Sequence, residues 1–409
     1  MLVSLQPFRF VSIMMLSHPL VMLWGLLSIW IWLLWSRRQK HGWALLLGVF
    51  VGWAAITRPL DALCFALPIG AGILWDLPGK ATAHWLVTFG LIAGGAAPFL
   101  TVQFIEDYGI TGNLLDTPHY NYSAHEYPGM VLGFMPFNPE WKQPSSLLQK
   151  QDYYDYFIVP GLKSHTAGSI VPNLYKSRLP MMLQTDLPDT LLLILVPMGI
   201  LGLTDPRRWV IWSTLPSFLG AYSCFPAFLM QYALPAALPL VLTLVLGIRT
   251  VAETWPGRQR AIGTILTLLL ASFAMTTLPG FNPNAYDQGW SWPVMTAAHT
   301  RLPQEVQTPA VVLFPYHPRH NFHEEPVSNV DVAWPDDEPI IHLQDLGMER
   351  DREIAAYYAK TQPDRDVYVF DRRRLLVIPQ GKPKDFLAYL KDRRAPEAPS
   401  RRATEPARR

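Results

Sequence analysis

The chain has 409 residues, of which 50% are hydrophobic and 16% are charged, and its formal net charge is +2. A soluble protein carries about a quarter charged residues, so this composition indicates a membrane protein, and the small net charge gives no support for nucleic-acid binding. Cys64 and Cys224 both lie in apolar segments, which argues against a disulfide framework.

Eight apolar segments are candidates for membrane-spanning helices, which need about 20 mostly apolar residues each. They are residues 19–35, 43–57, 60–75, 84–104, 190–203, 209–225, 232–248 and 261–278. The sequence therefore predicts a polytopic α-helical membrane domain over residues 1–279, with about eight spans and one long loop at 105–187.

The basic residues of the short connections indicate how these helices are oriented. They follow the first, third, fifth and seventh predicted spans: Arg37, Arg38, Lys40, Lys80, Arg207, Arg208, Arg249, Arg258 and Arg260. Because cytoplasmic loops carry an excess of Lys and Arg, we expect these four connections to face the cytoplasm. The loop 105–187 and residues 280–409 are then predicted to be extracytoplasmic.

Arg58, Pro59 and Asp61 separate the second and third apolar segments. Proline lacks a backbone donor and disfavours helix at the preceding residue, so a helix break is expected at Arg58, near the outer membrane surface. An unpaired charge in hydrocarbon costs several kcal/mol. Two compatible explanations follow: Asp61 neutralises an interfacial Arg58, or Arg58 faces a cavity and binds a phosphate, which a guanidinium contacts bidentately.

The loop 105–187 is rich in aromatic residues and contains candidates for ligand binding. Tyr120 and Tyr122 could stack on sugar rings or lie in the aromatic belt of the membrane surface. His125 and Glu126 are the best pair in this loop for proton transfer, because His titrates near neutral pH and a carboxylate can tune it. A solvated loop surface is the alternative explanation for each of them.

Metal binding has weak support in the sequence. Glu106 and Asp107 follow the fourth span; they fit a solvated helix end, and a role as metal ligand or general base is the second explanation. His317, His320 and His323 recur every three residues, a spacing compatible with zinc, although Pro and Asn residues interrupt it. We therefore predict no metal site, and no cofactor is certain.

The C-terminal residues 280–392 are predicted to form a small α/β domain. Strand-like runs occur at 310–314, 339–343, 366–370 and 375–378, and helical patterns at 349–359 and 384–391. Strands separated by a helix favour parallel pairing, and no phosphate-binding glycine motif opens a helix. Residues 393–409 are rich in Pro, Ala and Arg, which predicts a disordered tail.

Several segments, taken in order, resemble a known family of membrane enzymes. They are "LSHPL" at 16–20, "GWAAITRPLDALCFALP" at 52–68, "YGITGNLLDTPHYNYS" at 108–123, "QYALPAALPL" at 231–240 and "IIHLQDLGMERDREIAAYYAKTQPDRDVYVF" at 340–370. Together they are similar to the C-type glycosyltransferase superfamily, in the bacterial branch of protein mannosyltransferases and lipid A aminoarabinose transferases.

The resemblance implies a catalytic cavity at the outer face of a bacterial inner-membrane protein. It implies a lipid-linked sugar donor, carried on polyprenyl phosphate, and an extracytoplasmic acceptor; a divalent metal is possible. Arg58 would then contact the lipid phosphate, with His18 as a second candidate that otherwise reads as an interfacial cap. Tyr120, Tyr122 and His125 would lie over the donor or acceptor.

One departure from the family bears on catalysis. Its catalytic carboxylate lies in the first outer loop, whereas no acidic residue occurs here before Asp61. Either the chain continues upstream of Met1, which we favour, or it is a shortened and inactive relative. The alternative function is a non-catalytic membrane protein that binds polyprenyl lipid or assists cell-envelope assembly. A transporter fits least, because the charges lie at span ends rather than at midplane.

Overall fold

The computed structural model describes residues 17–186, 190–254, 257, 259–260, 262–264, 266–267, 271, 292–318, 320–329 and 332–392. The chain divides into two compact units, Met1–Trp141 with Ile158–Gln288, and Lys142–Phe157 with Gly289–Arg409. Most of the predicted span 261–278 and the whole of the predicted disordered tail 393–409 lie outside the described residues. Lys142–Phe157, which the sequence placed in the outer loop, clusters with the C-terminal unit.

The first unit is almost entirely helical. Its helices are α1 (Ser17–Arg38), α2 (His41–Thr57), α3 (Pro59–Asp76), α4 (Thr82–Thr111), α5 (Pro118–Glu126), α7 (Val159–Ser164), α8 (Ile170–Asn173), α9 (Leu179–Asp186), α10 (Leu195–Leu201), α11 (Pro206–Trp212), α12 (Thr214–Ser223), α13 (Met230–Ala233) and α14 (Ala237–Thr254). Short 3₁₀ segments lie at Ala167–Ser169, Thr190–Ile194 and Leu234–Ala236, and a π-helical segment at Leu174–Arg178.

Four helical stretches in the described part of the chain are long and apolar enough to cross a membrane: Ser17–Arg38, Pro59–Asp76, Thr82–Thr111 and Gln231–Thr254. Five predicted segments are thereby confirmed as helices: 19–35, 43–57, 60–75, 84–104 and 232–248. Of these, 43–57 lies in α2, which is apolar but shorter than the four helical stretches named above. The segment 190–203 forms a 3₁₀ turn and then α10. The segment 209–225 breaks at Ser213, because Pro216 cannot donate a hydrogen bond to the carbonyl of Trp212.

Small residues let α2 and α4 pack closely. A Cβ atom placed on Gly52 would lie 2.7 Å from the Cα atom of Ala96, and one on Gly48 or Gly95 would overlap a backbone carbonyl of the other helix. Spacing small residues one turn apart is the usual way for apolar helices to pack backbone against backbone. This packing accounts for the sequence GVFVG at residues 48–52.

The two ends of α1 contact different polar groups. At its C-terminal end Ser36 hydrogen-bonds Asp76, and Arg207 Nε donates to Ser36 Oγ over 2.9 Å. At its N-terminal end Ser17 Oγ accepts a hydrogen bond from Arg58. The connections that follow α1 and α3 therefore lie together with the one that precedes α11, at the end of the bundle away from Arg58.

The second unit is built on a four-stranded sheet with the order β2-β1-β3-β4. Its strands are β1 (Ala310–Phe314), β2 (Ile340–Gln344), β3 (Asp366–Asp371) and β4 (Leu376–Gly381). Its helices are α6 (Leu148–Tyr153), α15 (Pro293–Glu305), α16 (Met348–Thr361) and α17 (Pro383–Asp392); Tyr154–Ile158 is π-helical and Pro335–Asp337 is a 3₁₀ turn.

The pairing of these strands matches the sequence-based expectation for a small α/β unit. β1 pairs in parallel with β2 and β3, and β4 pairs with β3 in the antiparallel sense. All five residues of β1 are buried, as expected of a central strand covered on both faces. The four predicted strands and the two predicted helices are confirmed to within a few residues.

Candidate functional site

Arg58 lies at a break between two helices. It is both the C-cap of α2 and the N-cap of α3, and its backbone is extended, with φ −155° and ψ 95°. Pro59 occupies the first turn of α3, where a fixed φ and a missing donor are well tolerated. The proline therefore produces the predicted break and leaves the Arg58 side chain at the helix junction.

The guanidinium of Arg58 forms a closed network with two partners. Nε donates to Asp61 Oδ2 over 2.5 Å, and Nη2 donates to Tyr222 Oη over 3.2 Å. Tyr222 in turn donates its hydroxyl proton to Asp61 Oδ1. Asp61 is fully buried and uses both carboxylate oxygens in this network, so the predicted ion pair is present and the carboxylate is occupied.

Part of the Arg58 guanidinium stays available for a ligand. A guanidinium has five N–H donors, and its acceptors in the described residues are Asp61, Tyr222 and Ser17, the last at a long 3.4 Å from Nη1. Two N–H groups have no acceptor among the described residues, and the side chain is 24% exposed. Arg58 can therefore contact an anion while keeping its bond to Asp61.

Aromatic rings surround this guanidinium. The Cζ atom of Arg58 lies 5.6 Å from the centre of the Tyr232 ring, a distance at which a cation is attracted to the ring face. The centre of the His18 ring lies 5.5 Å from the centre of the same Tyr232 ring. His18 is buried, and neither of its ring nitrogens is bonded to any described residue. The structure thus places His18 beside the Arg58 network, while its predicted role as a phosphate ligand stays a prediction.

A second buried guanidinium, which the sequence analysis missed, lies beside the same aromatic cluster. Arg178 is 4% exposed; its Nη2 donates to the Phe225 carbonyl over 2.8 Å, and its Nη1 bonds to no described residue. Its Cζ atom lies 5.7 Å from the Phe228 ring, which also contacts the rings of Tyr222 and Tyr232. Two cations therefore flank one set of rings.

His165 completes the polar surroundings of Arg178. Its Nε2 donates to the Gly133 carbonyl over 3.0 Å and its ring stacks on Phe134 at 4.7 Å. Burial, with a smaller effect from Arg178, lowers the pKa of His165. The imidazole is therefore neutral near pH 7, and the positive charge of this region comes from the guanidinium groups.

The predicted acidic and loop residues do not join this network. None of the six other candidates is among the partners of Arg58 or Asp61: Glu106, Asp107, Tyr120, Tyr122, His125 and Glu126. Asp107 is buried and accepts a hydrogen bond from Gln103 Nε2, whereas Glu106 is exposed.

The loop candidates lie together on α5. Tyr120 and Tyr122 are exposed, and His125 Nδ1 donates to the Asn121 carbonyl over 2.9 Å. Consecutive side chains on a helix point about 100° apart, so His125 and Glu126 leave α5 in different directions. The helical path of α5 thus weakens the interpretation of these two residues as one proton-transfer pair.

The geometry fits an anion-binding site better than a metal site. No group of three or more His, Cys, Asp or Glu side chains arranged for a metal occurs in the part of the chain that the structure describes. No protein-family model matches the chain, and no curated protein or solved structure matches it either.

Proposed function

We propose that the protein is a membrane glycosyltransferase of the C-type superfamily, which moves a sugar from a polyprenyl-phosphate donor to an extracytoplasmic acceptor. The observation that carries the proposal is the partly exposed Arg58 guanidinium at a break between apolar helices, where two N–H groups have no acceptor among the described residues and can bind a phosphate. Arg178 supplies a second positive charge beside the same rings.

In the proposed reaction, the acceptor hydroxyl attacks the anomeric carbon and the bond from that carbon to the lipid phosphate breaks. The phosphate leaves with the electron pair, and guanidinium groups stabilise its developing charge. A base must take the hydroxyl proton. Asp61 is a poor candidate for this base, because Arg58 and Tyr222 already occupy both of its oxygens.

The proposed orientation has eight spans in an inner membrane, with the basic connections in the cytoplasm and the C-terminal domain outside. Arg58 and the cluster of Ser36, Asp76 and Arg207 lie at opposite ends of α1. If that cluster marks the cytoplasmic end, Arg58 lies at the outer surface, where an extracytoplasmic acceptor can reach a lipid-linked donor.

A non-catalytic lipid-binding protein is the second candidate. It is favoured by the closed network around Asp61 and by the lack of any other carboxylate bonded to Arg58 among the described residues. Both candidates share the same ligand chemistry, a polyprenyl phosphate at Arg58. They differ in whether the bond to the sugar is broken.

The test uses the purified full chain in lipid nanodiscs with radiolabelled polyprenyl-phosphate sugars. An enzyme releases free polyprenyl phosphate, whereas a binding protein retains the intact donor without turnover. We expect Arg58→Ala to lower release or binding at least a hundredfold and Arg58→Lys to retain a fraction, because Lys keeps the charge without the bidentate geometry.

The matched control is Arg249→Ala, which removes an exposed Arg that pairs with a carboxylate four residues away and should leave both readouts unchanged. Arg58→Ala also leaves Asp61 buried without its cation, so each variant is compared at equal amounts of folded protein. Unchanged release and binding in both Arg58 variants would remove Arg58 from the proposed mechanism.

A further inference from the structure

The second unit contains a cavity of about 630 Å³ at the carboxyl ends of two parallel strands. β1 ends at Phe314 and β3 ends at Asp371, and the residues that follow them line the cavity: Tyr316, His317, His320, Arg372 and Arg373. Ligands of α/β proteins bind beyond the carboxyl ends of the strands, and small-molecule sites measure about 300–1,000 Å³. Position and size therefore both suit a small ligand.

Arg372 gives this cavity a positive charge with no hydrogen-bonded carboxylate among the described residues. Burial lowers the pKa of its guanidinium, and the nearby carboxylates of Glu325 and Glu324 only partly oppose that shift. It is 4% exposed, and its hydrogen-bond acceptors are neutral: the Gln149 side chain at 3.1 Å and the carbonyls of Glu324 and Phe314 at 3.3 and 3.5 Å. Its Nε bonds to no described residue. Burying a cation is costly unless an anion or further hydrogen bonds compensate it.

Arg373 adds a second positive charge to the lining of this cavity. The side chain of Arg373 is exposed. The pKa of His320 is lowered mainly by burial and also by the nearby charge of Arg372. The one carboxylate in the lining is already used, because Asp371 Oδ1 accepts the backbone N–H groups of Arg373 and Arg374 over 2.9 and 3.1 Å.

We propose that this cavity binds a phosphate monoester through Arg372 and Arg373, as a site separate from Arg58. A guanidinium donates two parallel hydrogen bonds to phosphate oxygens, and among the described residues the buried Nε of Arg372 has no acceptor. Tyr316, whose ring lies 5.7 Å from the Arg372 Cζ atom, forms an adjoining wall for the organic part of the ligand. The phosphate could come from a soluble metabolite or from a lipid headgroup.

The test measures hydrogen exchange of the full chain in phosphatidylcholine nanodiscs, titrated with inorganic phosphate and with glycerol 3-phosphate. We expect saturable slowing of exchange in peptides covering 314–323 and 370–376, with tighter binding of glycerol 3-phosphate. Arg373→Gln should weaken binding about tenfold, the loss of one charge-assisted contact. Arg350→Gln is the matched control, because Arg350 is an exposed Arg that pairs with Glu353 outside the lining; the affinity of this variant should change less than twofold.

Two further experiments identify the source of the phosphate and separate this cavity from the Arg58 site. Nanodiscs that contain phosphatidylglycerol should weaken the apparent binding of glycerol 3-phosphate if a headgroup occupies the cavity, and leave it unchanged if the ligand is soluble. Arg58→Lys should leave binding here unchanged, which separates this cavity from the proposed transferase site. No saturable protection with either probe up to about 10 mM, or equal losses in Arg373→Gln and Arg350→Gln, would overturn the proposal.

Discussion

Tyr222 hydrogen-bonds both Arg58 and Asp61. A salt bridge alone would leave one oxygen of the buried Asp61 carboxylate unsatisfied, and an unpaired buried acceptor costs about 1–3 kcal/mol. The Tyr222 hydroxyl donates to that oxygen and also accepts from Arg58 Nη2. Both oxygens of the Asp61 carboxylate are thereby used within the fold. The Arg58 N–H groups that have no acceptor among the described residues remain available for a ligand.

A buried carboxyl group in the second unit makes stability depend on pH. Asp351 lies in the first turn of α16 and is 6% exposed. Burial, with a further contribution from Asp345, raises the pKa of Asp351 to about 7. Between the ordinary pKa of a carboxyl, near 4, and pH 7 the folded state binds more protons than the unfolded state, so stability falls as the pH rises through this window.

We therefore expect Asp351→Asn to stabilise α16 by about 1–2 kcal/mol at pH 8 and to have little effect at pH 4–5, since Asn cannot ionise and the helix dipole offsets part of the gain. Hydrogen exchange of peptides within Met348–Thr361, corrected for intrinsic rates, measures this difference. Glu349→Gln, which removes an exposed acid from the same turn, is the matched control. A stabilisation that is equal at both pH values would contradict the assignment.

At the scale of elements, the first unit depends on close backbone contact between α2 and α4. Gly95 faces the Leu45 carbonyl with no space for a side chain, whereas its neighbour Gly94 has open space around it. In a membrane, helix association rests on such packing, because lipid tails are as apolar as the side chains.

We expect Gly95→Ala to destabilise the first unit by about 1–3 kcal/mol, because the new methyl group forces the helices apart. Gly94→Ala should instead be neutral or stabilise by about 0.5–1 kcal/mol, the usual gain from replacing a helical glycine. Thermal unfolding followed by tryptophan fluorescence in detergent measures both variants. A loss of the same size in the two variants would show that the contact with Leu45 is not what constrains Gly95.

The chain combines an apolar helical unit with a charged α/β unit. α1 has 22 residues, which gives a length of about 33 Å and so matches a bilayer core of about 30 Å. The polar clusters at its two ends therefore lie about one membrane thickness apart.

Cysteine labelling tests the predicted orientation in a background with Cys64→Ser and Cys224→Ser. A membrane-impermeant maleimide added to spheroplasts should label Lys360→Cys, on the exposed surface of α16, and should label Lys40→Cys only after permeabilisation. Both lysines are exposed, so accessibility within the fold does not differ between them. Labelling of Lys40→Cys in intact spheroplasts would reverse the proposed orientation.

Local patterns were sufficient for much of the fold. Apolar runs located the helices α1 to α4, and β-branched runs located the strands β1 to β4, because each pattern depends on residues close together in sequence. The same patterns failed for 209–225, where a single proline interrupts an apolar run, and for α5 to α9, whose mixed composition has no clear period.

By itself the sequence determined that the chain is largely apolar and helical, that a small α/β unit follows, and that a helix ends at Arg58. Only the tertiary structure brought Tyr222 to Arg58 across 164 residues of chain and placed Arg178 beside the same rings. Secondary structure follows from neighbours along the chain, whereas a binding site requires side chains from distant segments to meet. Tertiary packing brings these side chains together, and no local sequence pattern predicts that packing.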